Sequence, residues 1–312
     1  MSRALGWLML AAALAVPQVS ASSAWLTFWI TTLLFAYLGQ AWNVLAGYGG
    51  QFSFGHAAFF GTGAYIAAIL QVRYGVNPWV AGLSGIAGGG IVGAAIGWVS
   101  FRYGLRGSYF ALVTLAFAEV FRVLANAVAI TGGGQGMLIP LKPGVEHFQF
   151  VDRASFYYLL VALVTSGVLI ARWLEASRFG AWLVAVRENE DAARALGIRV
   201  FRVKVAAIAL SAAMAGTAGV VYAQLFLYLD AGVAYGGHVS VEALLGPIVG
   251  GLGTALGPVV GAILLHGLGE AAKAVVGATP GLNLVLYGIV LVIMLRFLPD
   301  GVVGWLKRWG RR

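Results

Sequence analysis

Residues able to do polar chemistry are few in this chain, and several fall in one stretch. Positions 47–70 read GYGGQFSFGHAAFFGTGAYIAAIL, apolar enough to sit in lipid yet carrying Gln51, Ser53, His56 and six glycines. Glu119 and Arg122 stand three apart, and so on one helix face, inside SYFALVTLAFAEVFRVLANAVAI. An unpaired charge at mid-membrane is costly, and a local partner lowers that cost. The pair is therefore either a structural lock or part of a wet interior pathway. Glu242, in HVSVEALLGPIVGG, is a similar case that could sit near the outer surface.

Other chemistry is largely excluded. A P-loop needs Gly-Lys-Ser/Thr so that backbone amides and the lysine can hold phosphates. None of the four lysines (Lys142, Lys204, Lys273, Lys307) follows a glycine. There is no His-Glu-x-x-His zinc pattern and no Gly-x-Ser-x-Gly nucleophile elbow, and the four histidines, at 56, 147, 238 and 266, are scattered. Cysteine is absent, which removes disulfides, thiolate metal sites and a cysteine nucleophile. Neither catalysis nor a resident metal is expected.

The elements that must position these residues are membrane helices. Of 312 residues, 61% are hydrophobic and only 10% charged, and the mean hydropathy is +0.89. Soluble domains carry about 25% charged residues, so most of this surface must face lipid. Glycine supplies 45 residues, which in a membrane favours close helix contacts and interrupted helices. Apolar segments approaching the ~20 residues of a span lie near 4–19, 24–46, 52–71, 79–101, 109–130, 155–173, 205–228 and 282–298, with a longer glycine-rich block at 240–269. That block reads as two short helices or a re-entrant pair. The expected fold is an all-α polytopic bundle of about ten membrane segments, or eight crossings plus a re-entrant hairpin. Residues 1–22 also have the basic start, apolar run and small-x-small ending of a secretory signal; a retained first helix is expected.

With the N-terminus inside, the loops at 102–106, 174–204 and 299–312 fall on the cytoplasmic side. Together with Arg3 and the inner helix ends Arg172 and Arg296, they hold 15 of the 20 basic residues, as the positive-inside rule requires. The net charge of +9 is accounted for without a nucleic-acid partner.

The one large charged insertion runs RFGAWLVAVRENEDAARALGIRVFRVK from Arg178. Asn189 can cap a short helix through Leu196, with Glu190 and Asp191 in its first turn and Gly197 as its stop. Glu190 and Asp191 are both spaced to reach Arg194. The helix presents Ala192, Ala193, Leu196 and Ile198 beside mixed charges, either as a solvated connector or as a face that docks in a partner's groove. Glycines recur every fourth residue at Gly85, Gly89, Gly93 and Gly97, and again at Gly253, Gly257 and Gly261. Both sets are expected to serve helix packing.

Several blocks together resemble one family. WNVLAGYGGQFSFGHAAFFGTGAYIAA is similar to the signature of the Liv-type permeases, the membrane subunits of bacterial branched-chain amino-acid ABC transporters. LRGSYFALVTLAFAEVFR with TGGGQG, then SRFGAWLVAVRENEDAARALGI, VEALLGPIVGGLGTALGPVVGAILL and LYGIVLVIMLRFLPDGVVG follow in the family's order, from about 30 to 304. The Ser-Phe-Gly-His-Ala-Ala-Phe form resembles the M-type subunit. At Gly134-Gln135 the chain departs from the Pro-Asn often found there. The resemblance implies a multi-pass permease of the inner membrane, 1–312 forming one transmembrane domain with a cytoplasmic coupling loop at 174–204. It implies a second homologous permease, two ATP-binding cassette subunits that hold the ATP and magnesium, and an external solute-binding protein. It further implies that Arg187, Glu188, Glu190, Asp191, Ala192, Ala193, Arg194, Leu196 and Gly197 belong to the region that docks on the ATPase. Relatives of the family are linked to urea, amides and aromatic acids as well as to branched-chain amino acids, and a passive channel is the alternative of another class. The glycines at 47, 49 and 50 suit an unwound helix end, which would place Gln51, Ser53 and His56 along the translocation path; for His56 a satisfied core histidine is the equal alternative.

Overall fold

The computed structural model describes residues 13–18, 22–276 and 301–309, with scattered positions between 281 and 298. Helix α1 (Ser23–Asn43) runs on into a π-helical turn, Val44–Tyr48. There follow α2 (His56–Tyr74), α3 (Pro78–Arg102), α4 (Gly107–Ala127), α5 (Arg153–Ala176), α6 (Arg178–Glu188), α7 (Glu190–Ala195) and α8 (Val200–Phe226). A short turn of helix, α9 (Ala231–Ala234), leads to α10 (Gly237–Gly250), α11 (Gly257–Val276) and α12 (Gly301–Trp309). Strands β1 (Met137–Leu138) and β2 (Tyr228–Leu229) form a small antiparallel ribbon that joins the α4–α5 connection to the end of α8.

Local signals set the helix ends. Asn77, Asp152 and Ser177 each accept a backbone N–H at the start of α3, α5 and α6, and Pro78 takes the first position of α3. Gly75 stops α2 in the left-handed region, with Val76 N–H reaching back to Leu70 O.

Among the described residues five helices are long and apolar enough to cross a membrane: α1 with its π turn, α3, α4, α5 and α8. The segment expected at 52–71 begins later, because 51–55 is non-helical and α2 starts at His56. The block at 240–269 is a helical hairpin of α10 and α11. Fourteen residues make α10 about 21 Å long, short of a ~30 Å hydrocarbon layer. The segments expected at 4–19 and 282–298 lie largely outside the described residues, so a total of ten is not established.

Two packing groups share the centre. Helix α1 packs against α5, α8, α10 and α11, while α2, α3 and α8 pack on one another. In lipid, apolar burial drives association little, and close approach of small residues takes its place. The stripe on α3 does this: a methyl on Gly85 would lie 2.5 Å from Gly63 O, and one on Gly89 3.2 Å from Gly216 Cα. Gly93 and Gly97 face Ala212 and Ile208 of α8 in the same way. The second set is only partly a stripe. Gly261 lies against the backbone of Gly246 and Gly250 on α10, and Gly257 opens α11 against Gly251. Gly253 is instead in the hairpin turn, at φ +67, because the chain must reverse there.

Candidate functional site

The break after α1 is built from backbone groups held by side chains of other helices. The π turn ends with Gln51 N–H bonded to Leu45 O, and Gly50 reverses the chain at φ +67. Such turns widen the backbone at functional sites. Residues 51–55 then run without helix to His56. The first N–H groups of α2 have no partners within the helix; Ser240 Oγ of α10 accepts that of Ala57 at 2.9 Å. Just upstream, Thr114 Oγ1 of α4 accepts Phe54 N–H at 3.2 Å, and Trp42 Nε1–H donates to Ser53 O at 2.7 Å.

His56 is fully buried. Ser211 Oγ donates to Ala41 O at 2.6 Å, so at 2.9 Å it accepts from His56 Nε2–H. Nδ1 faces the Ser53 hydroxyl at 3.3 Å. The imidazole thus ties α1, the break, α2 and α8 together, as a satisfied core histidine would. Gln51 is also buried; its amide donates to Gly49 O at 3.2 Å, and its Oε1 has no partner among the described residues. Phe52 and Phe54, flanking Ser53, are the exposed side chains of the break.

The α6–α7 junction grips this break from outside the bundle. Arg187 Nη1 donates to Gly47 O at 2.9 Å, and its stem fills the space left at Gly50, where a methyl would lie 2.5 Å from Arg187 Cγ. Asn43 closes the other side: its Oδ1 accepts Gly253 N–H at 2.8 Å and its amide donates to Thr254 O at 3.1 Å. The Tyr48 hydroxyl donates to Glu175 Oε1 of α5 at 2.9 Å. The π turn, the hairpin turn, α5 and α6 therefore meet at one point.

Helix α7 is capped by Asn189, whose Oδ1 accepts the N–H groups of Asp191 and Ala192, both at 3.0 Å, and Gly197 follows it at φ +84. Ala193 is buried, whereas Leu196 is 81% exposed. Asp191 pairs with Arg194 at 2.8 Å, and Glu188 with Arg187 at 2.7 Å. The expected reach of Glu190 to Arg194 is not made. Glu190 turns inward, to Lys204 Nζ at 2.7 Å and Arg106 Nε at 3.1 Å, because tertiary partners on α8 and the α3–α4 corner outcompete a local one.

Glu119 and Arg122 form a two-pronged pair, 2.9 and 2.5 Å, on a face of α4 that points away from the rest of the chain. Their side chains are 56% and 37% exposed. Glu119 lies about 18 Å along a helix of about 31 Å. Glu242 lies between α10 and α11, with His266 Nε2 3.5 Å from its Oε2 and Phe35 stacked on the imidazole. His266 also lines a cavity of about 600 Å³ with Thr27, Thr31, Arg153, Glu270 and Lys273. Among the described residues no group of three or more His, Asp or Glu could hold a metal ion.

Comparison with known proteins decides the family. Residues 21–295 match the family described as branched-chain amino acid transport system / permease component. The chain belongs to this permease family. Against the high-affinity branched-chain amino acid transport system permease protein LivM of Escherichia coli K12 it is 30% identical, covering 87% of this chain and 68% of that one. The corresponding LivH protein of the same strain is 24% identical over 86% of this chain and 91% of its own. The L-arabinose ABC transporter permease protein AraH of Azospirillum brasilense is 31% identical over 68% and 62%. No solved structure matches. Permeases of ABC importers are multi-pass inner-membrane proteins, and the apolar helices of this chain agree with that.

Sequence reasoning passed over several residues that this permease uses at the break: Asn43, Thr114, Ser211 and Ser240. Thr114 and Ser211 are lone polar residues in apolar helical runs, and that isolation is the available signal; Asn43 and Ser240 have polar neighbours at Gln40, His238 and Glu242 and carry no such mark. His266 carried the same mark, whereas Lys204 was hidden among the charges of the 178–204 insertion.

Proposed function

We propose that the chain is the M-type permease subunit of a bacterial ABC importer for branched-chain or related hydrophobic amino acids. In this reading 1–312 is one transmembrane domain, the α6–α7 end of the bundle faces the cytoplasm, and 174–204 is the coupling loop. ATP and magnesium are held by two cassette subunits, and this chain has no cofactor of its own. A homologous second permease and an external binding protein complete the assembly. The cargo assignment rests on the LivM and LivH relatives.

The observation that carries the reading is Arg187 on Gly47 O at 2.9 Å. Through it a loop suited to docking a cytoplasmic partner holds the point where α1 breaks. A displacement of α6–α7 must drag Gly47, and with it the segment from Gln51 to His56. Closure of the cassettes would shift the bundle between outward and inward states to the extent that they bind those states differently. Phe52 and Phe54 would line the opening, with Gln51 and Ser53 behind them and His56 as the anchor of the segment. The Glu119–Arg122 pair supports a wet or protein-covered face on α4, since charges at that depth are poorly served by lipid. Glu242 would line a second polar zone with His266.

The test is uptake into proteoliposomes holding this chain, a homologous permease, both cassettes and the binding protein. ATP-dependent uptake of labelled leucine, isoleucine or valine supports the assignment. Uptake of urea, an amide or an aromatic acid instead would move the cargo, and uptake without ATP would favour a channel.

A further inference from the structure

We infer that Glu190 is a positioning residue, a three-way clasp that fastens α7 to α8 through Lys204 and to the α3–α4 corner through Arg106. This rests on the coupling reading above and adds to it the route by which motion of α7 leaves the loop. The two carboxylate oxygens go to different elements: Oε1 to Lys204 Nζ at 2.7 Å, Oε2 to Arg106 Nε at 3.1 Å. Lys204 is 4% exposed and Glu190 13%. The ammonium also sits 4.4 Å from the centroid of the Phe101 ring on α3, a cation–π contact. Phe101 in turn stacks on Phe110 of α4 at 4.9 Å. One carboxylate thereby gathers α7, α8, α3 and α4.

A buried ion pair of this kind adds little net stability, yet removing one partner leaves the other charge uncompensated. Its worth lies in fixing geometry. The outward side of α7 is different in kind: Asp191 and Arg194 are largely exposed, and Leu196 stands out furthest. Helix α7 is thus divided into an inner side that is fastened and an outer side that is free to meet a partner. Glu190 belongs to the inner side, so a load applied at Leu196 reaches α8 and α4 together.

The experiment measures ATP hydrolysis and uptake separately in the assembled, reconstituted complex. Four variants are compared with the parent: E190Q, K204M, the neutral double variant E190Q/K204M, and K204R. The double variant buries no unpaired charge and so separates folding from coupling. It is expected to retain both cassettes on purification while its uptake per ATP hydrolysed falls about tenfold, a typical coupling free energy between sites. K204R, which keeps the cation over Phe101, is expected to recover most of that ratio. An unaltered ratio in E190Q/K204M overturns the clasp. So does loss of the cassettes from the double variant, which would make Glu190 a docking residue. If the parent complex itself shows no ATP-driven uptake, the coupling reading fails and the clasp falls with it.

Discussion

The seam between α2, α3 and α8 and the junction between α6, α7 and the π turn hold their helices in opposite ways. At the seam, backbone lies on backbone: a methyl on Gly63 would sit 2.6 Å from Gly216 Cα. Through Gly63, Gly85, Gly89 and Gly216 the contact is made by backbone and small residues, and a charged side chain enters only at its edge, where Lys204 lies over Phe101. At the junction, single directional contacts from Arg187, Asn43, Glu190 and Lys204 span gaps that packing leaves open. Such contacts let elements move as a unit without being rebuilt. The permease therefore has a rigid half and a transmitting half, joined at α8.

The sharpest way to break the comparison is at the seam. Gly63→Val should lower the thermal aggregation midpoint in detergent strongly, since overpacking a tight contact costs about 1–3 kcal/mol or more. An unshifted midpoint would mean the seam is looser than its glycines imply. Next comes Ser211→Ala, which removes the partner of His56 Nε2 and leaves a buried donor unmet. A destabilisation of about 1–3 kcal/mol is expected, read from the same midpoint.

Arg187→Met tests the junction. Its guanidinium is partly exposed, so stability should change by no more than about 1 kcal/mol, while ATP-driven uptake falls markedly. Equal losses in both would make Arg187 an ordinary packing residue. The smallest effect is expected for Asp191→Asn. The Asp191–Arg194 pair is exposed, and exposed pairs contribute little, so neither the midpoint nor cassette retention should shift measurably.

Much of this was legible in the sequence because it is local. The glycine stripe on α3, the loose backbone at 47–50 and the Asn189-capped helix depend on residues within a few positions of one another. What escaped depends on the fold. Glu190 finds Lys204 fourteen residues on and Arg106 far upstream, instead of Arg194 one turn away. His56 finds Ser211 155 residues away, and Glu242 finds His266 across a hairpin. A polar residue in an apolar run announces that it needs a partner, but the sequence does not say which. The regular spacing of Gly253, Gly257 and Gly261 suggested one helix face; a chain reversal at Gly253 divides it.

The shortness of α10 bears on how the protein insulates the membrane. Its fourteen residues cover about 21 Å, and Arg187 lies near Gly253 in the turn that follows it. At that length α10 cannot by itself separate two aqueous phases across a ~30 Å hydrocarbon layer, so α1 and α11, which pack against it, must complete the barrier.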